Sequence, residues 1–176
     1  MKMARLGALL ILTVMLVWTA GCSRSGDEDN PAGQASSSPS PQPATVTQEI
    51  SIYYPDAEGM GVVEQKRSIT YSAEQDKLEK VLAALQEDGE DNLVSLWKQI
   101  EFKQITWSGG DGKLTVDLHI PDEARLGGPG EDLALQTIQR TVFQLQEVKA
   151  LDLLVDGQAV DSLMGHMELQ HPIHKS

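Results

Sequence analysis

The chain has 176 residues and carries 14 Lys+Arg against 26 Asp+Glu, a formal net charge of −12. That surplus of acid excludes binding driven by phosphate neutralisation, which needs clustered Lys and Arg, so nucleic acid is not an expected partner. It also excludes attachment to an anionic membrane surface by charge alone.

Residues 1–21 have the layout of a secretory signal peptide: basic Lys2 and Arg5, an apolar run from Leu6 to Trp18, then small Thr19, Ala20 and Gly21. The run is shorter than the roughly 20 residues needed to cross a bilayer core. Cys22, the only cysteine, follows directly, and the arrangement resembles the bacterial lipobox. The resemblance implies that the Cys22 thiol is acylated and that cleavage leaves Cys22 as the first residue. The alternative is an ordinary signal peptide, or an uncleaved anchor, beside an unmodified cysteine. Acyl chains contribute about 0.8 kcal/mol per buried methylene, so two or three would hold the protein on the extracytoplasmic face of the cell membrane. With Cys22 acylated, no thiol remains for a disulfide, a nucleophile or a metal. Loss of the leader also removes two of the 14 basic residues, leaving 12 against 26 acidic ones, a balance of −14.

Residues 22–45 are rich in Ser, Pro, Gly, Asn and Asp and nearly free of apolar side chains. Ordering them would bury nothing to offset the entropy lost, so they read as a disordered tether. Asp27, Glu28 and Asp29 lack the spacing of a calcium loop and read as solvated linker charge.

A globular pattern starts near Val46, and residues 46–176 suffice for one domain with its own core. In "EISIYY", Ile50, Ile52 and Tyr54 alternate as in a strand. A turn, "PDAEGMG", leads to a more polar strand, "VVEQKRSITY", suited to a sheet edge or hairpin. The segment "SAEQDKLEKVLAALQEDG" is the clearest helix. Ser72 and Gln75 have capping-box spacing. Leu78, Val81, Leu82 and Leu85 make one apolar stripe. A weaker helical or irregular piece follows through Leu93, Leu96 and Trp97. "FKQITWSGGDGKLTVDLHI" predicts a hairpin, turning at Gly109–Gly112 with Leu114, Val116, Leu118 and Ile120 on one face of its second arm. That glycine loop lacks the strand-to-helix context and the Lys-Ser/Thr of a phosphate cradle.

A second helix is expected from about Gly130 to Glu147, with Leu135, Ile138, Val142 and Leu145 inward and Glu131 and Asp132 at its positive end. "ALDLLVDG" then predicts a buried strand ended by an Asp156-Gly157 turn, and the tail closes the domain. The order is ββαββαβ. The expected fold is α+β, a small mixed β-sheet with two amphipathic helices packed on one face.

Four segments carry a family likeness: "YYPDAEG", "LTVDL", the helix "LALQTIQRTVFQLQEV" and above all "LLVDGQAVDSLMGHMELQHPI". Together they resemble the GerMN domain of bacterial sporulation and spore germination lipoproteins. The resemblance covers most of 46–174 and implies a module similar to the ring-building domains of secretion-type assemblies. It further implies an envelope lipoprotein that joins or stabilises a larger complex between two membranes, with other envelope or sporulation proteins, or further copies of itself, as partners. It carries over no catalytic residues and no cofactor.

The residues themselves offer little chemistry. No nucleophile-elbow motif appears, and the carboxylates are too many to single out a pair. His166, His171 and His174 lie close together, and Asp161 or Glu168 could join them on zinc, but the spacing fits no standard site and Pro172 interrupts it. Trp97, Trp107, Tyr53 and Tyr54 could form a stacking platform for a glycan, against which stands packing in the core and on the sheet face. Three readings follow. The chain is a non-enzymatic envelope interaction module, a lipoprotein that binds cell-wall glycan or a small ligand, or a zinc-binding lipoprotein. No catalytic, cofactor or metal residue is assigned, and Cys22 is the one site residue, for lipid.

Overall fold

The computed structural model describes residues 44–176. Cys22, the leader, the acidic cluster Asp27–Asp29 and most of the tether lie outside the described residues.

The fold is α+β, with two helices and β-sheet structure. Its strands divide between two sheets where the sequence suggests one. The first is a hairpin of β1 (Val46–Pro55) and β2 (Val62–Tyr71), paired along its whole length from Val46↔Tyr71 to Pro55↔Val62. The second is built on β3 (Glu101–Ser108), β4 (Lys113–His119) and β5 (Ala150–Val155), in that order. β3 and β4 are antiparallel, whereas β4 and β5 are parallel. A parallel pair needs a crossover, and the second helix, α2 (Gly128–Phe143), supplies it. Two short strands, β6 (Gln158–Ala159) and β7 (Ile173–His174), both pair with β5.

The Asp156-Gly157 corner joins β5 to β6, with φ of 50° and 79°. Two successive residues at positive φ make the kind of turn whose twist suits a two-residue hairpin, and Gly157 takes that conformation without a Cβ penalty.

The first helix, α1 (Glu74–Gln86), buries Leu78, Val81, Leu82 and Leu85, the stripe its periodicity predicts. Its start differs from expectation. No side chain caps through the Ser72–Gln75 pair; instead the Asp76 carboxylate reaches back to the Ser72 N–H at 2.8 Å. Gln75 is used elsewhere, donating to the Ile105 carbonyl at 2.9 Å. α2 begins at Gly128 and ends at Phe143, earlier at both ends than the sequence suggests. Pro129 sits in its first turn, where its missing N–H costs nothing.

The core is one cluster drawn from both sheets and both helices. Trp97 is fully buried in the turns between α1 and β3, where the sequence suggests a weak helix. Its indole N–H donates to the Thr137 hydroxyl of α2 at 3.0 Å, and its ring meets Phe102 edge-on at 5.7 Å. Lys77 of α1 reaches Glu147 at 2.6 Å, tying α1 to the segment after α2. Burial works against the Glu147 charge, but the Lys77 ammonium, the Glu147 backbone N–H and nearby Lys175 together outweigh it and hold the carboxyl below its usual range. Among the described residues no helix is long and apolar enough to cross a membrane.

Candidate interaction surface

The two outer edges of the β1–β2 hairpin are finished differently. On the β1 side, α2 acts as a substitute strand. Gln144 accepts from the Ser51 N–H at 2.7 Å and donates its amide to the Ser51 carbonyl. Thr141 accepts from the Tyr53 N–H at 3.2 Å. A primary amide offers one donor and one acceptor, so Gln144 reproduces a ladder pair.

That geometry fixes the other edge. Ser51 and Tyr53 direct their backbone groups away from β2, so their antiparallel partners Lys66 and Glu64 direct theirs away from β1. By alternation, Val62, Ser68 and Thr70 do the same. β2 pairs with β1 alone. Its outer edge runs beside α1, and between them lies an open groove of about 400 Å³. Arg67, Ser68, Ile69 and Thr70 form one wall; Lys80, Ala83, Ala84 and Glu87 form the other. Lys80, Ala83 and the buried Ala84 lie on α1 and Glu87 is the residue that caps it; at i, i+3, i+4 and i+7 the four line up beside the buried stripe. Arg67 spans one end, donating to Glu87 at 2.5 Å and to the Asp88 carbonyl. On the outer face of the hairpin, Lys66 meets both Glu64 and the Ser51 hydroxyl at 2.7 Å, so the charges at mid-strand neutralise each other.

The second sheet has its own two edges, at β5 and at β3, and β3 pairs with β4 alone. β6 and β7 line the free side of β5, and Gln75 takes a carbonyl of β3. Two buried or half-buried groups hold the tail that makes this possible. Glu131, expected at the positive end of the helix, lies in its first turn and is fully buried. Its carboxylate accepts from the Ser162 hydroxyl at 2.7 Å and from the N–H groups of Met164 at 2.9 Å and His166 at 3.0 Å. Burial disfavours its charge, yet the Ser162 hydroxyl and these N–H groups outweigh that cost and keep the carboxyl below its usual range. No spacing rule signals this role, since the groups it binds lie some thirty residues away.

His171 is the second fastener. One ring nitrogen lies 2.9 Å from Asp152 of β5 and the other 2.8 Å from the Val160 carbonyl. Both partners are acceptors, so with both hydrogen bonds made each nitrogen donates, an arrangement that favours the imidazolium. The Val160 carbonyl and then Asp152 raise its pKa above the ordinary 6.5. A histidine held this way has no lone pair for a metal. Among the described residues, no three His, Cys, Asp or Glu side chains are grouped to hold one. His174 is exposed in β7, and His166 packs by its Cβ at Gly128.

The four aromatic residues also separate. Trp97 and Tyr54 are core residues, with exposures of 0% and 1%. Tyr53 is half-buried beside Arg140 and Phe143 of α2, while the Trp107 indole N–H reaches Glu74 at the start of α1, at 3.3 Å.

The comparisons with known proteins agree on the fold. The family described as "Germane: Sporulation and spore germination" matches residues 51–161. No curated protein matches the chain. Among solved structures, a protein of Clostridium perfringens described as a lipoprotein is similar at 19% identity and a TM-score of 0.51, over 73% of this chain and 88% of that one. The first GerMN domain of the sporulation protein GerM from Bacillus subtilis is similar at 13% identity and a TM-score of 0.55, over 73% of this chain and 98% of that one. The tandem GerMN domains of the same protein match at 15% identity and a TM-score of 0.50, over 74% of this chain and 45% of theirs.

Proposed function

The chain belongs to the Germane family of sporulation and spore germination, and from that premise we propose that it is a non-enzymatic assembly module of the cell envelope. Lipid on Cys22 attaches it to the extracytoplasmic face of the membrane, and residues 23–45 lie between that anchor and the domain. It works by adding itself to a larger complex through a sheet edge. The observation that carries this reading is the outer edge of β2, a ten-residue strand paired on one side only and flanked by a groove. Such an edge takes an added strand, whose main chain supplies affinity while the groove selects side chains.

Crosslinking in intact cells, followed by pull-down of the tagged full-length protein and mass spectrometry, tests the role. Subunits of an envelope complex should be recovered, and fewer of them when β2 carries Ser68→Pro, which blocks strand addition at the edge. Recovery of wall enzymes or nothing specific sinks the assembly reading. The anchor is tested apart: Cys22→Ala should abolish labelling with a fatty-acid probe and release the protein from the membrane fraction. Continued labelling would overturn it.

A further inference from the structure

We propose that the β2 edge and the α1 wall form a two-fold interface for a second copy of this chain, a strand-to-strand and helix-to-helix dimer. The inference rests on the assembly reading above and names the edge's occupant.

The first argument is self-complementarity. In a two-fold interface each contact occurs twice with the roles exchanged. Lys80 and Glu87 stand at opposite ends of this line along α1, with the exposed Ala83 and the buried Ala84 between them. An axis passing between the two alanines sets Lys80 of each copy against Glu87 of the other. The alanines at the crossing let the helices approach closely, within the range of about 8–10 Å between axes found for packed helices.

The strand agrees with the helix. Counted from the corner at residues 72–73, the Ala83–Ala84 midpoint lies roughly 16 Å along α1, at 1.5 Å per residue. At about 3.3 Å per residue, the same depth along β2 falls between Arg67 and Ser68. An axis at Ser68 pairs Lys66 with Thr70 and Arg67 with Ile69 of the other copy, and Ser68 with itself. Lys66, Ser68 and Thr70 belong to the alternate set whose backbone groups point outward, and no like charges meet. An axis at Arg67 would set Arg67 against itself. Helix depth and strand charge therefore agree on one register.

The third argument is charge. A chain with 26 acidic and 14 basic residues repels its copies over most of its surface. The groove is an exception, since Arg67 and Lys80 face only Glu87 there, and Lys66 and Glu64 are already paired.

The test uses the full-length lipidated chain in detergent, with mass measured by native mass spectrometry and light scattering across micromolar concentrations. Wild type should be dimeric. Lys80→Glu and Glu87→Lys should each weaken dimerisation by at least about tenfold, because each places like charges at both ends of the helix pair. Mixing the two variants should restore the dimer, since both cross-pairs then have opposite signs. Glu87→Lys also deprives Arg67 of a partner, so Ala83→Cys provides a readout free of charge changes. Mild oxidation should join its copies by a disulfide near the axis, whereas Met60→Cys, at the exposed far end of the hairpin, should not join. A wild type that stays monomeric, or variants that fail to complement, overturns the inference. If envelope subunits are still recovered in that case, the assembly reading stands and the edge belongs to a foreign strand. A dimer that recovers no envelope subunit shows the reverse.

Discussion

On its α2 side, the hairpin has its ladder groups answered by Gln144 and Thr141; on its α1 side, β2 faces a groove with nothing paired to it. Both edges belong to strands of ten residues paired with each other along their whole length, so the strands do not explain the contrast. The helices do. α2 presents hydrogen-bonding side chains at the height of Ser51 and Tyr53, while α1 presents alanines between two charges. An amide or hydroxyl ends a sheet, because its donor and acceptor substitute for the next strand. A wall of small residues leaves the room that strand would need. The same rule holds in the second sheet, where the tail closes β5 and needs Glu131 and His171 to stay in place.

The largest effect is expected at the fastener of the closed half. Glu131→Ala strands the Ser162 hydroxyl and the N–H groups of Met164 and His166 in a buried site. Each such group costs about 1–3 kcal/mol, so a loss on the order of 3–5 kcal/mol is expected from denaturant unfolding. Because the folded carboxyl titrates below its ordinary range, its contribution is present above the unfolded pKa of about 4.5 and is lost as the pH falls through the lower folded value. Glu131→Gln should flatten that acid limb. An unchanged limb would mean that the carboxylate is not what holds the tail.

The closed edge itself comes next. Gln144→Ala leaves the Ser51 N–H and carbonyl without partners, at about 1–3 kcal/mol. Amide exchange gives the sharper reading. In the native protein the Ser51 and Tyr53 amides should be protected, and in the variant Ser51 should exchange freely. Equal rates for Ser51 in both would erase the distinction between the two edges. If the edge of β2 is covered by a second copy, the Lys66 and Ser68 amides should gain protection as concentration rises.

Much of this was legible in the sequence, and the boundary has a physical cause. Period-two and period-3.6 patterns report which face of one element is apolar, so the stripes of α1 and β4 and the order of the main elements follow directly. Sheet membership depends on what lies beside an edge, and Gln144 looks like any polar helix residue. Its partner Ser51 is 93 positions away. Glu131 shows the same limit, since a carboxylate in a first helical turn ordinarily signals the helix dipole. The three clustered histidines suggest a metal, yet His171 spends both nitrogens on local acceptors, which no spacing reveals.

A smaller, pH-dependent effect sharpens the same contrast at the tail. His171 has a raised folded pKa, so its stabilisation is complete below about 6.5 and disappears as the pH rises through the higher folded value. His171→Gln should remove this slope near neutrality and leave the acid limb set by Glu131. A wild-type protein with constant stability across that range would show that the imidazolium clasp contributes nothing.

The smallest effect is expected at Tyr54, whose hydroxyl is the one buried side-chain polar atom without a hydrogen-bond partner among the described residues. Its ring is in the core, and burial, set against the attraction of nearby Arg67, raises its pKa. Arg67 is committed to Glu87 and the Asp88 carbonyl at the end of the groove, so it donates to acceptors that face solvent. A hydroxyl buried without a hydrogen bond costs stability, and Tyr54→Phe removes it without leaving a cavity. The variant should be unchanged or up to about 1 kcal/mol more stable, with Arg67 and the groove intact. Loss of more than that would mean that the hydroxyl has a partner after all. Arg67 at the groove's end is the nearest candidate, and the open edge of β2 would then be fastened from within as the closed edge of β1 is.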